Sequence, residues 1–348
     1  MKRREFLHPR HVAKVARPVL GIAEEIARDV SVPTDPVLLR FSRRAMATTF
    51  EVILPYGSDS ANDVAVAGLD EIDRLEAQLT VYRDTSEVSR VNATAGHRAM
   101  RVEPNLFELL VLAERLHRDT DGAFDIAVGA LIKTWGFFRR QGRMPTPHEQ
   151  ANARKRSGWA NVMLDGERQT VAFRQPGVAL NLGSIGKGYA LDCALIAGRT
   201  RGNVANLLLH GGHSSLLAKG RAAPDRRGWT VGLTDPRNPT IRRAFLHLCD
   251  RAMATSAATQ QHFVHEGRTL GHLLDPRTGW PAEGMLSVTA TAPTAAEADA
   301  LATAFFILGL EKTRAYCEAH PDIGAVLIAA DAPQRLEVLG RAKDEVER

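Results

Sequence analysis

The sequence predicts a domain of the α+β class, and three observations lead to this fold class. Short apolar runs with the alternation of β-strands occur along the chain, and amphipathic helices lie between them without the regular order of βαβ units. No run reaches the roughly 18 apolar residues that a membrane-spanning helix needs. With 348 residues, 44% of them hydrophobic and 24% charged, the chain has the composition of a globular protein.

The first half begins with a strand over 50–56, in which Phe50, Val52 and Leu54 share one face. Periodicity and turn residues predict the elements that follow. They are a helix over 60–79, a loop over 80–92, a helix from Pro104 to Arg118, a basic surface excursion over 139–157, and strands at 161–164 and 170–173.

The second half alternates helices and strands less regularly. The clearest helix spans 294–309, where Thr294 and Glu297 form a capping box and Gly309 ends the pattern. The other predicted elements are a helix in GKGYALDCALIAG, a strand–turn–strand unit in VANLLLHGGHSSLLAKG, and strands in RGWTVGLTDP, at 286–292 and at 323–330.

The net charge of +5 comes mostly from arginine, much of it within the first 45 residues. It fits a solvated basic surface or a polyanionic ligand such as a dinucleotide. Nucleic-acid binding is not expected, because the chain lacks zinc-finger spacing, RNP-type motifs and basic heptad helices. Cys193, Cys249 and Cys317 lie far apart, which favours free, mostly buried thiols over a disulfide framework or a metal motif.

Residues 1–40 are expected to form a basic extension in front of a domain that spans 41–340. The twin arginine in KRREFL resembles the start of a Tat export signal. Charged side chains interrupt the apolar stretch that such a signal needs, and no lipobox cysteine is present. The extension is therefore a degenerate signal or a linker, the compartment stays open, and a cytoplasmic location is slightly favoured.

Asp299 and Thr303 lie four residues apart in the clearest helix, so they share one helical face. The rest of that face is apolar, and a buried aspartate there must be paired or must bind a ligand. A carboxylate beside a hydroxyl is the hard oxygen set that Mg²⁺ prefers. The structural alternative is that Asp299 lies exposed in the first turns and interacts with the helix dipole.

Gly183, Gly186 and Gly188 surround Lys187 directly before a predicted helix. Their spacing matches neither a Walker A loop nor G-x-G-x-x-G. Backbone N–H groups at a helix start, together with a lysine, are suited to hold a phosphate. A plain strand-to-helix turn with a surface lysine explains the same residues equally well.

A stiff loop, GHLLDPRTGWPAEG at 271–284, brings His272, Asp275, Arg277 and Thr278 within seven positions. An unperturbed histidine has a pKa of about 6.5, which suits a general base near neutral pH. Two prolines and three glycines restrict the backbone around it. The loop is therefore a candidate for catalysis, with a purely structural turn as the alternative.

Together these segments resemble the ApbE family, the FAD:protein FMN transferases. The resemblance runs in order through MATTFEV, LTVYRDTSEVSRVN, GAFDIAVGAL…WGF, NLGSIGKGYALD, LLLHGG, MATS, HLLDPRTGWP and ADALATAFFILG. It implies a two-lobed α+β domain, with mixed or antiparallel sheets flanked by helices and FAD in the cleft between the lobes. The implied reaction is Mg²⁺-dependent transfer of FMN from FAD, through its phosphate, to a Thr or Ser hydroxyl of a target protein, with release of AMP.

The resemblance also implies roles for single residues. His272 matches the base that deprotonates the acceptor hydroxyl, and Asp275 is a candidate to orient its ring. Arg277 is expected to lock the loop through Asp275 rather than to bind phosphate. The implied metal ligands are Asp299, Thr303 and the Ser184 carbonyl. The implied FAD contacts are Met46, Tyr82, Ala123, Phe124, Asp125, Asn181, Lys187 and the Leu273 backbone.

Four positions depart from the family's pattern. Aspartates are replaced by Asn181 and His213, and glycines by Ala47 and Ala257. Fewer carboxylates make the cleft less negative, which leaves two alternatives open: a FAD pyrophosphatase that yields FMN and AMP, and an inactive FAD-binding protein. The metal pair, the lysine of the glycine turn and the histidine are all retained, which favours an active enzyme.

Overall fold

The computed structural model describes residues 36–212, 214–258 and 261–347. Most of the predicted N-terminal extension, and His213, lie outside these described residues. Leu38–Arg348 forms one compact unit.

The strands and helices follow one another without a repeating βαβ unit, as the fold class predicts. The strands are β1 (Leu38–Ala45), β2 (Thr48–Pro55), β3 (Met100–Arg101), β4 (Val162–Asp165), β5 (Thr170–Phe173), β6 (Leu207–Gly211), β7 (Ser215–Lys219), β8 (Trp229–Thr234), β9 (Arg242–Leu248), β10 (Arg251–Ala257), β11 (His262–His265), β12 (Arg268–Gly271), β13 (Leu274–Asp275), β14 (Trp280–Pro281), β15 (Met285–Ala292), β16 (Gly324–Ala329), β17 (Glu337–Gly340) and β18 (Val346–Glu347). The helices are α1 (Ala61–Leu79), α2 (Glu87–Thr94), α3 (Pro104–Asp119), α4 (Gly129–Thr134), α5 (Pro147–Lys155), α6 (Gly186–Arg199), α7 (Ala295–Ala319) and α8 (Ala342–Glu345).

An eight-stranded sheet in the order β1-β2-β6-β7-β10-β15-β16-β17 forms the centre of the unit, and all its neighbours pair antiparallel. The alternation in β2 shows how the sequence builds it. Phe50, Val52 and Leu54 point into the main core with α1, α6 and α7, whereas Ile53 points into a second core on the other face. That second core is shared with the three-stranded sheet β18-β9-β8. The sheet is therefore covered on both faces, which explains the apolar runs in its strands.

A third, smaller core lies where α4 and the short hairpins β11–β12 and β13–β14 meet. Its largest side chain is Trp135, whose indole N–H donates to the Gly279 carbonyl at 2.9 Å. Leu131, Leu270 and Leu274 pack around it. The loop that carries His272 is thus held by a packed core and not by the main sheet.

The α+β class is confirmed, and most predicted elements are present within a few residues of their predicted ends. Gly309 adopts φ 74° and ψ −175° and interrupts α7 where the sequence predicted its end, but a second helical segment continues to Ala319. Four helices were missed, namely α2, α4, α5 and α8, and two of them carry caps that are visible in the sequence. Ser86 caps α2 inside the predicted loop, and a capping box of Thr146 and Glu149 starts α5 inside the predicted excursion.

Paired strands lie on both sides of the range 41–340 that the sequence predicts for the domain. Strand β1 begins at Leu38, opposite Pro55 of β2. At the other end, Val346 pairs with Leu246 of β9. The three cysteines are unpaired, and only Cys317 is fully buried. No helix of the described residues has the length and apolar character to cross a membrane.

Candidate active site

A cavity of about 510 Å³ opens between the main sheet with its helices and the third core. It brings together segments that are far apart in the sequence, from the β1–β2 turn to the middle of α7. Eleven of the thirteen predicted site residues line it: Met46, Tyr82, Ala123, Asp125, Asn181, Ser184, Lys187, His272, Leu273, Asp299 and Thr303.

The floor of the cavity is the place where α6 crosses α7. A side chain on Gly188 would overlap the Ala295 carbonyl, so only glycine permits this close approach. Asp299 is 5% exposed, and its Oδ2 accepts from the Gly188 backbone N–H at 2.7 Å. The Ser215 hydroxyl donates to Oδ1 at 2.5 Å, and Lys187 Nζ lies 3.6 Å from Oδ2. The exposed, dipole-only alternative for Asp299 is therefore wrong.

Asp192 makes the reverse contact at the same crossing. Its two carboxylate oxygens accept from the backbone N–H groups of Ala295 and Ala296, each at 2.9 Å. Each helix thus supplies an aspartate to the first turn of the other, where the helix dipole favours negative charge. Burial raises the pKa of Asp192 to about 6, and these two N–H groups oppose the rise. The crossing fixes Asp299 and Lys187 relative to each other.

The oxygen atoms at the floor fit a hard divalent cation. The contacts of Thr303 Oγ1 with the described residues are long, 3.3 Å to Ser256 Oγ and 3.5 Å to the Asp299 carbonyl. Each Asp299 oxygen accepts one short hydrogen bond and keeps further lone pairs. Ser184 lines the cavity in the glycine turn. Within the described residues no three His, Cys, Asp or Glu side chains cluster as a metal site, so carboxylate, hydroxyl and carbonyl oxygens are the available ligands.

Asn181 organises the glycine turn from within. Its Oδ1 accepts from the Gly183 backbone N–H at 2.9 Å, a contact that an aspartate would make equally well. The Asn181 backbone N–H donates to the Ile126 carbonyl at 2.7 Å. Asn181 therefore organises the turn without placing a charge on the cavity wall.

His272 lies across the cavity from this crossing. Its Nδ1 contacts the Gln261 carbonyl at 3.2 Å, and a carbonyl only accepts, so Nδ1 carries the proton of the neutral ring. Nε2 is then the basic atom. Burial lowers the pKa of His272 below its ordinary value, and the positive charge of Lys187 acts in the same direction, while the bond to Gln261 opposes them. The imidazole is therefore neutral, and able to take a proton, at neutral pH.

Asp275 does not orient His272, which corrects the role expected from the sequence. Its carboxylate accepts from Arg277 Nε at 2.9 Å and from Nη2 at 2.8 Å, and from the Arg277 backbone N–H at 2.9 Å. It does not line the cavity, and the Nδ1 of His272 is bound to Gln261. Arg277 locks the loop through Asp275, as predicted. A carbonyl from a neighbouring segment replaces the carboxylate as the partner of the base.

The segment 123–125 divides between cavity and core. Phe124 is 1% exposed and packs inside the main core. Its side chain is therefore not placed to contact a ligand in the cavity, which corrects the role expected from the sequence. Asp125 lines the cavity, but its oxygens accept from the backbone N–H groups of Ala127 and Trp159, both at 2.7 Å. His117 Nδ1 lies 3.2 Å from Asp125 Oδ2. Burial lowers the pKa of His117, but the hydrogen bond to Asp125 contributes to a net rise of this pKa. Asp125 is thus mainly a cross-link of the cavity wall.

The mouth of the cavity is formed by more exposed groups. Met46 and Ala47 form the two-residue β1–β2 turn with φ of 48° and 61°, a left-handed conformation that costs non-glycine residues about 1–2 kcal/mol each. Tyr82 is 66% exposed and stacks on Phe138, with ring centroids 4.8 Å apart. Arg140, also in a left-handed turn, completes this side.

Four residues that contact the predicted site were not found from the sequence: Ser215, Ser256, Gln261 and Arg140. Ser215 and Ser256 reach α7 because β7 and β10 are neighbours in the sheet. Gln261 meets His272 across the β11–β12 hairpin, where its carbonyl also accepts from the His272 backbone N–H. Only strand pairing reveals these contacts, and no local motif signals them.

Fold and cavity together define an enzyme of the α+β class with an oxygen-lined floor and a neutral histidine opposite. The model of the ApbE family matches residues 46–327. The FAD:protein FMN transferase of Treponema pallidum is 33% identical over 288 residues, which cover 76% of this chain and 78% of that protein. That of Haemophilus influenzae is 30% identical, covering 79% and 82%. This chain belongs to the ApbE family and is a transferase.

Solved structures agree with this assignment. The ApbE protein of Thermotoga maritima superposes with a TM-score of 0.80 at 27% identity, covering 90% of this chain and 100% of that one. The flavin transferase ApbE of Vibrio cholerae gives a TM-score of 0.76 at 25% identity, with 89% and 99% covered. The structural similarity therefore extends over about nine tenths of the chain.

Proposed function

We propose that this chain transfers FMN from FAD to a threonine or serine hydroxyl of a partner protein, in a Mg²⁺-dependent reaction that releases AMP. The observation that carries the proposal is a single cavity that holds a buried, fixed carboxylate on one side and a neutral histidine on the other. The names of the relatives supply the two substrates, FAD and a protein.

The floor would bind the pyrophosphate of FAD. Lys187 and the start of α6 present positive charge there, which suits phosphate oxygens. Asp299, Thr303 and the Ser184 carbonyl would hold Mg²⁺. When bound, Mg²⁺ supplies neutralisation of the charge that builds up on the phosphate oxygens. Without the ion, Lys187 is the cation that faces Asp299.

His272 acts on the acceptor. Nε2 takes the proton of the threonine or serine hydroxyl, and the oxygen forms a bond to the FMN phosphorus while the bond from that phosphorus to the AMP oxygen breaks. The proton stays on His272 until solvent removes it. The Gln261 carbonyl keeps the ring in the tautomer that leaves Nε2 free.

The same arrangement argues against an inactive flavin-binding protein. Asn181 keeps the turn that an aspartate would make, so loss of that carboxylate leaves the position of Lys187 unchanged. A protein that only stored FAD would gain nothing from a neutral histidine held by a carbonyl in the cavity that contains the proposed phosphate site. His213, the other replaced aspartate, lies outside the described residues.

Mass spectrometry of an acceptor tests the proposal. The chain is incubated with FAD and Mg²⁺, with and without a Thr-containing acceptor domain of a flavinylated protein, and intact masses and free nucleotides are recorded. An acceptor heavier by one FMN, with AMP released, is the expected result. Free FMN and AMP with every acceptor unmodified would identify a pyrophosphatase, and FAD recovered intact would identify a binding protein.

A further inference from the structure

We propose that Arg139 and Arg140 form the docking site for the acceptor segment of the partner protein, and that this segment carries acidic residues beside the hydroxyl that receives FMN. The inference rests on the function proposed above and adds the chemistry of the partner. Its basis is the position of these two arginines and their lack of counter-charge.

The two arginines lie next to the proposed base. The Phe137 ring packs edge-to-face on the His272 ring with centroids 6.4 Å apart, and Phe263 packs on Phe137 at 6.0 Å. The Arg140 backbone N–H donates to the Phe137 carbonyl at 3.0 Å, which closes a tight turn at this point. Arg140 and His272 line the same cavity. A chain that brings a hydroxyl to His272 therefore lies against the surface that carries the arginines.

Neither guanidinium group has a counter-charge among the described residues. Arg139 and Arg140 are exposed, and within the described ranges neither pairs with a carboxylate. The neighbouring Arg143 is different, because Glu149 holds it at 2.8 Å. Two adjacent, uncompensated cations at a cavity mouth attract an acidic segment and repel a basic one.

FAD is the other anion that enters this cavity. In the proposed function its phosphates lie against Lys187 and the start of α6, and Arg139 is not part of the cavity wall. Arg140 extends from a left-handed turn at the mouth, with φ of 56°. The pair of charges thus faces the side from which the second substrate arrives, which favours the acceptor over FAD as their partner.

Peptide binding tests the docking site separately from catalysis. Three labelled peptides carry a central threonine flanked on both sides by two glutamates, two glutamines or two lysines. Their affinity for the FAD-loaded full chain is measured by fluorescence polarisation. The glutamate peptide is expected to bind about tenfold more tightly than the glutamine peptide, with the lysine peptide weakest, and the preference should shrink in 0.5 M salt.

Charge reversal supplies the decisive comparison. Arg139→Glu with Arg140→Glu should invert the order of the peptides, so that the lysine peptide binds most tightly. Arg98→Glu with Arg101→Glu is the matched control, since these arginines are also exposed but lie outside the cavity wall, and it should keep the wild-type order.

The order of the peptides is unaffected by any general loss of stability, so a weakened variant still gives an answer. Equal affinity of the wild type for all three peptides, or an unchanged order in the reversed variant, would overturn the docking site. If the charge-reversed variant binds FAD more weakly but keeps the wild-type order of the peptides, the arginines bind FAD and not the acceptor. If the peptides bind in the expected order but none of them receives FMN, the result supports the docking site and contradicts the proposed transfer.

Discussion

The floor and the mouth of the cavity are built in opposite ways. At the floor, two helices cross at a glycine, and Asp192 and Asp299 each bind the first turn of the opposite helix. At the mouth lie a two-residue turn, an exposed tyrosine and two arginines that contact no carboxylate of the described residues, with left-handed backbone at three positions. His272 lies between the two, on a loop held by a separate small core.

This difference matches what each region has to bind. A phosphate and a metal ion need fixed charges, because small displacements weaken electrostatic stabilisation. A partner protein needs a surface that accepts a separate chain, and exposed loops around a rigid scaffold provide it. We therefore expect changes at the floor to abolish the reaction and changes around the mouth to alter substrate preference.

The largest expected effect is that of Asp299→Asn. The amide keeps the size of the side chain but removes the charge that would hold the metal, so FMN transfer should fall by about 10³-fold or more. Transfer is followed by the mass of the acceptor at saturating FAD. Circular dichroism of the variant serves as the control for folding, and a loss of less than tenfold in a folded variant would remove Asp299 from the metal site.

Next in size is the dependence of transfer on pH. Because burial lowers the pKa of His272, the base should stay neutral to a pH below the ordinary histidine value of about 6.5. On acidification, kcat/KM for the acceptor should remain constant down to that point and then fall about tenfold per pH unit. His272→Ala should lack this limb. A limb with its midpoint above 6.5 would contradict a buried neutral base.

A smaller effect is expected for Asp192→Asn. One N–H group at the start of α7 would lose its acceptor, whereas the removal of a buried charge offsets part of the loss. The free energy of unfolding should drop by about 1 kcal/mol in urea denaturation, with a weaker affinity for FAD. Asp63→Asn, at an exposed position in the first turn of α1, is the matched control and should change neither. Unchanged stability and affinity in Asp192→Asn would show that the crossing does not depend on this contact.

The smallest effect should be that of Asp275→Asn. Because this carboxylate binds Arg277 and does not contact His272, transfer should fall less than tenfold, with a stability loss of about 1 kcal/mol or less. If Asp275 oriented the base, the loss would approach the roughly 10⁴-fold seen when a triad aspartate is neutralised. A single kcat measurement separates the two roles.

How much the sequence predicts depends on whether a feature is local. The Thr294 cap, the helical spacing of Asp299 and Thr303, and the glycine turn around Lys187 all follow from neighbouring residues. The last two features line one cavity in the structure. Helices α2 and α5 were missed because short, polar segments carry little periodicity, although their caps were visible.

The contacts that decide chemistry at the site are non-local. Ser215 reaches Asp299 through strand order, and the Gln261 carbonyl reaches His272 across a hairpin. Asp275 was assigned to His272 because the two are close in sequence, but Arg277 is closer still and pairs with it bidentately. The partner of His272 is instead the Gln261 carbonyl, 11 residues away, which lies outside the stiff loop.

The most direct test of the account is the effect of Mg²⁺ on FAD affinity in Asp299→Asn and His272→Ala, measured by flavin fluorescence. In this account the floor holds the phosphates and the histidine acts on the acceptor. Mg²⁺ should then raise the affinity for FAD in the wild type and in His272→Ala by factors that agree within about threefold. In Asp299→Asn, Mg²⁺ should leave the affinity for FAD unchanged. Loss of the Mg²⁺ effect in both variants, or its persistence in Asp299→Asn, would contradict the division of roles between Asp299, which binds the metal at the floor, and His272, which acts on the acceptor.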